Sequence, residues 1–276
     1  MASQGPQLNT LHVAVAGAVA EVRLNRPECA NAMNAELWQD LRNCFRWLDG
    51  APAVRAVVLA GAGRNFCAGI DLAMLGQVAG EVAHADGARS RERLRRIILD
   101  LQDCLAAIER CRKPVLAAIH GACVGGGLDL ATWCDMRYAA ADAVFSVREI
   151  DLAMVADVGT LQRLPRLVGE GMARELAYTG RSVDAVEAER LGLVNRVFPT
   201  AESLWEGVRE LAAAIAAKSP LAIRGVKEAM NYARDHTLAD GLRQVAAWNA
   251  AMLLSDDLQE ALAARREGRP PRYPDE

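Results

Sequence analysis

Three carboxylates and two glycine-containing turns carry the chemistry that can be read from this chain. Asp129 follows the turn Gly125-Gly126-Gly127 by two residues, and Glu149 and Asp157 flank the apolar stretch from Ile150 to Ala156. A glycine turn lets the backbone approach a ligand closely, because no Cβ intervenes and a positive φ costs little. If a helix begins there, its first N–H groups have no intrahelical acceptor and can receive negative charge on a ligand oxygen. The segment Asn65 to Leu72, NFCAGIDL, also follows a strand-like run and could offer another inward N–H next to Gly69. Two donors from separate loops are what an oxyanion hole needs, and losing one such donor costs on the order of two to four kcal/mol of transition-state stabilisation. Together the two turns suggest a carbonyl-binding site.

Taken singly, each feature has a plainer explanation. Three glycines make a tight strand-to-helix connection. Asp129 at a helix start favours the dipole, and Glu149 and Asp157 fit solvated loop carboxylates or N-caps. His120 precedes the glycine turn, but no serine stands in a G-x-S-x-G setting and no His/Cys/Asp spacing matches a metal site, so a structural role is expected and no metal. The turn lacks the Lys-Ser/Thr of a P-loop and is not G-x-G-x-x-G, which leaves nucleotide phosphate binding through those motifs unsupported.

The elements that must hold these residues follow from hydrophobic periodicity. Residues 11–24 alternate around Gly17 and predict a hairpin. Asn31 to Leu48 carries Met33, Leu37, Leu41, Phe45 and Leu48 at spacings of three and four, which predicts an amphipathic helix. Val54 to Leu59 and Pro114 to Ile119 read as buried strands, each leading into one of the glycine loops. Gly87 to Arg112 reads as a long helix with Leu94, Ile97, Ile98, Leu101 and Leu105 on one side. That alternation predicts an α/β fold, a parallel sheet with helices outside. Val144 to Val147 reads as a further strand and Met172 to Gly180 as a helix. After Phe198-Pro199 only helices are predicted, at Glu202 to Lys218, Leu221 to His236 and Leu238 to Arg266. The organisation expected is a core over residues 1–199 and a helical oligomerisation subdomain over 200–276.

Bulk properties narrow the function classes. The chain has 276 residues, 52% hydrophobic and 24% charged, which is the balance of a globular protein able to bury a sizeable core. A net charge of −3 provides no overall basic field for nucleic acid or anionic lipid. The basic run from Arg89 to Arg96 could meet an anionic ligand, but a solvated helix face explains it as well. Seven scattered cysteines without a C-x-x-C pair fit reduced thiols in a cytosol-like compartment. No uncharged apolar run is long enough for a membrane span, residues 1–6 show no export pattern, and the final residues, 273–276, do not match a peroxisomal S-K-L ending. The expectation is a cytoplasmic protein with no nucleic-acid or membrane partner.

The stretches AVAEVRLNRPECANAMN, RNFCAGIDL, KPVLAAIHGACVGGGLDLATWCDMRYAAADAVFSVREIDL and GTLQRLPRLVG together resemble the crotonase (enoyl-CoA hydratase/isomerase) superfamily, from about Val13 to the C-terminal helices. The resemblance implies a ClpP/crotonase-like fold of repeated ββα units with a C-terminal helical subdomain, assembled as a homotrimer or homohexamer. It implies an acyl-CoA thioester substrate, with no cofactor beyond the coenzyme A carried by that substrate. The N–H groups of Ile70 and Gly126 would form the oxyanion hole, and Ala68, Gly69, Ile70, Asp71 and Leu72 would run along the thioester and pantetheine arm.

The acids carry over one at a time. A hydratase of this superfamily is expected to have glutamate where Asp129 and Glu149 stand and glycine where Asp157 stands, and this chain keeps only Glu149. The set Asp129, Glu149, Asp157, with VREIDLAMVADVGTLQRLPRLVG around it, resembles the branch that isomerises 3,5-dienoyl-CoA to 2,4-dienoyl-CoA in fatty-acid β-oxidation. That reaction removes a proton from C2 and returns one at C6. Glu149 is expected at C2 and Asp157 at C6, with the reverse allocation left open, and Asp129 would tune the pair. Three carboxyls in a partly apolar pocket do not all ionise easily, so at least one pKa is expected to rise. Hydration and a nucleophilic Asp157, as in a related dehalogenase, are the alternatives within the superfamily. Glu149 stands where that dehalogenase is expected to have tryptophan. A non-catalytic RNA-binding member is the alternative outside enzymology.

Overall fold

The computed structural model describes residues 6–274; residues 1–5 and 275–276, on which the terminal-signal readings partly rest, lie outside the described residues. The chain opens with the predicted hairpin, β1 (Leu11–Ala16) and β2 (Val19–Leu24), antiparallel with Leu11 opposite Leu24. β3 (Ala56–Gly61), β4 (Val115–Ile119), β6 (Met136–Ala140) and β9 (Arg196–Phe198) extend it in parallel, giving a six-stranded sheet ordered β1-β2-β3-β4-β6-β9. β5 (Ala122–Val124), β7 (Val144–Ser146) and β8 (Val183–Asp184) form a second sheet of three strands.

β3 and β4 are buried along their whole length, which is why they read as unbroken apolar runs. Period two still operates inside them. Val57, Leu59, Val115, Ala117 and Ile119 face one core with Leu41 and Phe45 of α1 (Ala35–Gly50) and Leu105 and Ile108 of α3 (Gly87–Arg110). Ala56, Val58, Ala60, Leu116 and Ala118 face a second core, closed by Leu204, Val208 and Ala212 of α8 (Ala201–Ala216). α8 thus packs on the main sheet.

The helical tail continues as α9 (Pro220–Asp235), α10 (Leu238–Met252) and α11 (Asp256–Glu267). The last predicted helix is therefore two, because Ser255 caps a new start by accepting from the Leu258 N–H. α10 packs on α9 and buries none of its own residues, while Glu109 on α3 is clasped by Arg234 of α9 and by Arg163 of α5 (Thr160–Val168), the latter at 2.8 Å.

Three other features differ from the sequence reading. α1 begins at Ala35, capped by Asn34, because residues 30–33 pair instead with residues 68–71. α2 (Leu72–Val82) occupies what reads as the end of a loop, capped by Asp71. Leu94 on α3 is exposed, since only the C-terminal half of that helix lies under the body, and the arginines from Arg89 to Arg96 are exposed with it. α6 (Glu170–Thr179) and α7 (Ala185–Arg190) complete the chain.

Six of the seven cysteines are buried and free; Cys29 is free and exposed. No described helix is long and apolar enough to cross a membrane, and no cluster of three metal-ligating side chains occurs among the described residues.

Candidate active site

The two glycine turns meet through Cys67. Its N–H donates to Ala122 O at 2.9 Å and its carbonyl accepts from Val124 N–H at 3.0 Å, which lays the 65–71 loop alongside the start of α4 (Gly126–Trp133). Gly125, at φ 53°, turns the chain from β5 into the helix, and Gly69, at φ 99°, bends the other loop so closely that a Cβ there would sit 3.4 Å from Gly126 N. A Cβ on Gly126 would lie 3.5 Å from Ile70 N. The two N–H groups are therefore neighbours, and among the described residues neither donates to a backbone acceptor. A pair of unspent donors at a helix start is suited to an oxygen that gains negative charge.

The acids gather around this pair. Asp129 is buried one turn into α4, where its Oδ1 accepts the Thr160 N–H at 2.7 Å. Its Oδ2 is buried with no hydrogen-bond partner among the described residues. Burial pushes the carboxyl up to about 6, the Thr160 hydrogen bond opposing and Asp157 adding to the rise. Glu149 opens a short 3-10 turn, Glu149–Leu152, and its Oε1 lies 3.2 Å from where a Gly125 Cβ would be. Its Oε2 is likewise buried without a partner. Desolvation, then the nearby charges of Asp129 and Asp157, push Glu149 up to about 7. Asp157 is exposed at the rim, yet the protein packed around it still raises its carboxyl above the usual range by desolvation.

These three acids thus interact with one another, and two of them keep an oxygen in reserve. Asp71 differs from the other sequence-singled residues of its loop: its carboxylate is committed to Arg26 and to the cap of α2, and Leu72 points outward, 62% exposed. His120 bonds through Nε2 to Gly63 O at 2.9 Å, a structural contact. Sequence reasoning missed Thr160, whose N–H orients Asp129. It also missed Gln102, whose amide donates to Asp157 O at 2.6 Å from α3. Thr160 could have been suspected as the first residue after Gly159 at a helix start; Gln102 leaves no local signal. Beyond Asp157 a cavity of about 1160 Å³ extends between α3, α5 and α9, lined by Leu99, Trp133 and Met230 among others.

A family model described as enoyl-CoA hydratase/isomerase matches residues 14–276. The chain belongs to the enoyl-CoA hydratase/isomerase family. Within it, the chain is 48% identical over 251 residues to a peroxisomal Δ3,5-Δ2,4-dienoyl-CoA isomerase of Arabidopsis thaliana, covering 91% of this chain and 90% of that one. It is 46% identical to a mitochondrial protein of the same name from Homo sapiens, covering 91% of this chain and 77% of that one. Among solved structures, an enoyl-CoA hydratase from Bacillus anthracis superposes with a TM-score of 0.87 at 34% identity, covering 96% of this chain and 99% of that one. The crotonase fold expected from the sequence is the fold observed.

Proposed function

We propose that this chain isomerises 3,5-dienoyl-CoA to 2,4-dienoyl-CoA, with Glu149 and Asp157 moving the protons and the Ile70 and Gly126 N–H groups holding the thioester oxygen. The observation that carries the reading is the meeting of three mutually repelling carboxyls beside two unspent N–H donors. The names of the two relatives support the same substrate.

In the reacting form Glu149 is ionised and Asp157 holds a proton. Glu149 takes the C2 proton, the electron pair delocalises over the thioester and both double bonds, and the oxygen's charge is met by the two N–H groups. Asp157 then protonates C6, which leaves double bonds at C2 and C4. One proton leaves and one arrives, and the exposed side of Asp157 lets the starting form be restored by exchange with solvent. Asp129, fixed by Thr160, keeps Glu149 from ionising too early. The cavity beyond Asp157 gives room for chain past C6.

The test is an ultraviolet assay with 3,5-dienoyl-CoA that follows the conjugated 2,4-dienoyl product; no product from the purified protein would overturn the reading. Hydration is a second reading, favoured by the likeness to the Bacillus anthracis hydratase. Formation of 3-hydroxyacyl-CoA from a 2-enoyl-CoA would support it.

Assembly as a trimer or hexamer fits the apolar side chains left exposed on the tail, among them Val226, Met230, Leu238, Leu242 and Leu254; light scattering gives the mass. The free thiols fit a reducing compartment such as the cytoplasm.

A further inference from the structure

Of the two N–H donors, that of Gly126 is carried by a regular helix, whereas that of Ile70 sits in a loop whose shape must be imposed from outside. Residues 26–33 impose it. Ala68 N–H donates to Ala30 O at 3.0 Å, Met33 N–H donates to Gly69 O at 2.8 Å, and Asp71 N–H donates to Met33 O at 3.1 Å. The backbone is thereby pinned on both sides of Ile70 while the Ile70 N–H itself is left over.

The pinning segment is an unusual turn. Ala30 and Asn31 are both left-handed, at φ 51° and 57°, a conformation that residues with a Cβ adopt reluctantly. Arg26 holds that turn from two directions. Its backbone N–H donates to Asn31 Oδ1 at 2.9 Å and its carbonyl accepts the Asn31 N–H at 2.9 Å. Its guanidinium donates from both Nη1 and Nη2 to Asp71 Oδ2, each at 3.1 Å, and from Nη1 to Ala32 O. Asp71 in turn caps α2 by accepting from Ala73 N–H at 3.1 Å. One side chain therefore joins the strained turn, the residue after Ile70 and the helix that follows. The pair is largely sheltered, with side chains 16% and 22% exposed.

We infer that Arg26 is a positioning residue of the oxyanion hole, setting through Asp71 and the 30–33 turn where the Ile70 N–H stands relative to that of Gly126. The inference rests on the reading of those two N–H groups as the thioester donors. A planar fork fits this task, because it fixes direction as well as distance, which a lysine ammonium does not.

An ion pair that only stabilises the loop would lower the melting temperature and leave the chemistry of the bound carbonyl unchanged. The discriminating measurement is isotope-edited infrared spectroscopy of 2,4-dienoyl-CoA carrying a 13C thioester carbonyl, bound to the protein. Hydrogen bonds from the hole lower that stretching frequency relative to the free thioester. In Arg26→Met the shift is expected to shrink by about half or more, and kcat to fall about tenfold to a hundredfold, since a misplacement of about 1 Å can cost that much. KM is expected to change less than about threefold, with Arg26→Lys recovering only part of the shift. If the wild-type carbonyl shows no shift on binding, the oxyanion reading fails and this inference with it. If the wild type shifts and Arg26→Met shifts equally, the inference alone is overturned. Should Arg26→Met fail to fold, Asp71→Asn, which keeps an oxygen for the α2 cap, is read against the same outcomes.

Discussion

Glu109 lies between Arg163 and Arg234, and Glu149 lies close to Asp129 and Asp157. Burial raises the pKa of both. At Glu109 the hydrogen bonds from the two arginines outweigh it and the carboxyl ends below its ordinary range. At Glu149 the neighbours add to it and the carboxyl ends at about 7. Both carboxylate oxygens of Glu109 are occupied, whereas Glu149 keeps one oxygen with no partner among the described residues. The first arrangement spends a glutamate on joining α3, α5 and α9. The second leaves a glutamate desolvated near its titration point beside the Gly125 turn, the kind of perturbed carboxyl that clusters at functional sites.

The comparison is broken most directly by activity. Glu149→Gln and Asp157→Asn are each expected to lower turnover of 3,5-dienoyl-CoA by about 10²- to 10⁴-fold in the ultraviolet assay. Near-wild-type rates from either would sink the two-carboxyl scheme. Glu109→Gln should act the other way, lowering unfolding free energy in urea by about 2 kcal/mol while turnover stays within about threefold. A large loss of turnover there would erase the distinction between the two glutamates.

Stability against pH sharpens it further. Glu149 and Asp129 have folded pKa values raised above their unfolded ones, so the stability from their protons is complete below about pH 4 and lost as pH rises through about 6 to 7. Glu149→Gln and Asp129→Asn should therefore be more stable than the wild type at pH 8, by about 1–2 kcal/mol each, with the gain vanishing at pH 4. Glu109, with a depressed value, contributes stability above the ordinary glutamate range that is lost on acidification, so Glu109→Gln should show its deficit at pH 7 and less of it at pH 3. The smallest effect is kinetic. Because the reacting pair shares one proton, with Glu149 ionised and Asp157 protonated, kcat/KM should fall as pH rises through about 7 and that proton is lost. Asp129→Asn should move that limb to lower pH by up to about one unit, because a like charge has been removed.

What could be read ahead of the structure followed the range of the forces involved. β3, β4 and α1 announce themselves because their apolar residues are neighbours at period two or 3.6 along the chain. The start of α1 was misplaced because Met33, which continues the helical spacing, pairs with Ile70 across 37 positions. α2 was hidden by its small side chains and two glycines, and only the Asp71 cap marks it. At the site, Asp129 was visible beside its glycine turn. The meeting of Glu149 and Asp157 with it depends on the fold of the 149–160 segment and on Thr160 and Gln102, so residue patterns alone gave these acids only bland roles and the superfamily resemblance supplied the rest.

The thiol inventory offers a practical handle. Cys29 is exposed, the other six cysteines are buried, and Cys29 stands immediately before the left-handed pair at Ala30 and Asn31. A trifluoromethyl tag introduced with a thiol-reactive reagent on the native protein would therefore go to one place, without cysteine-free mutagenesis. Its 19F resonance would report, in solution and during turnover, whether the segment that braces Ile70 stays still or exchanges between states.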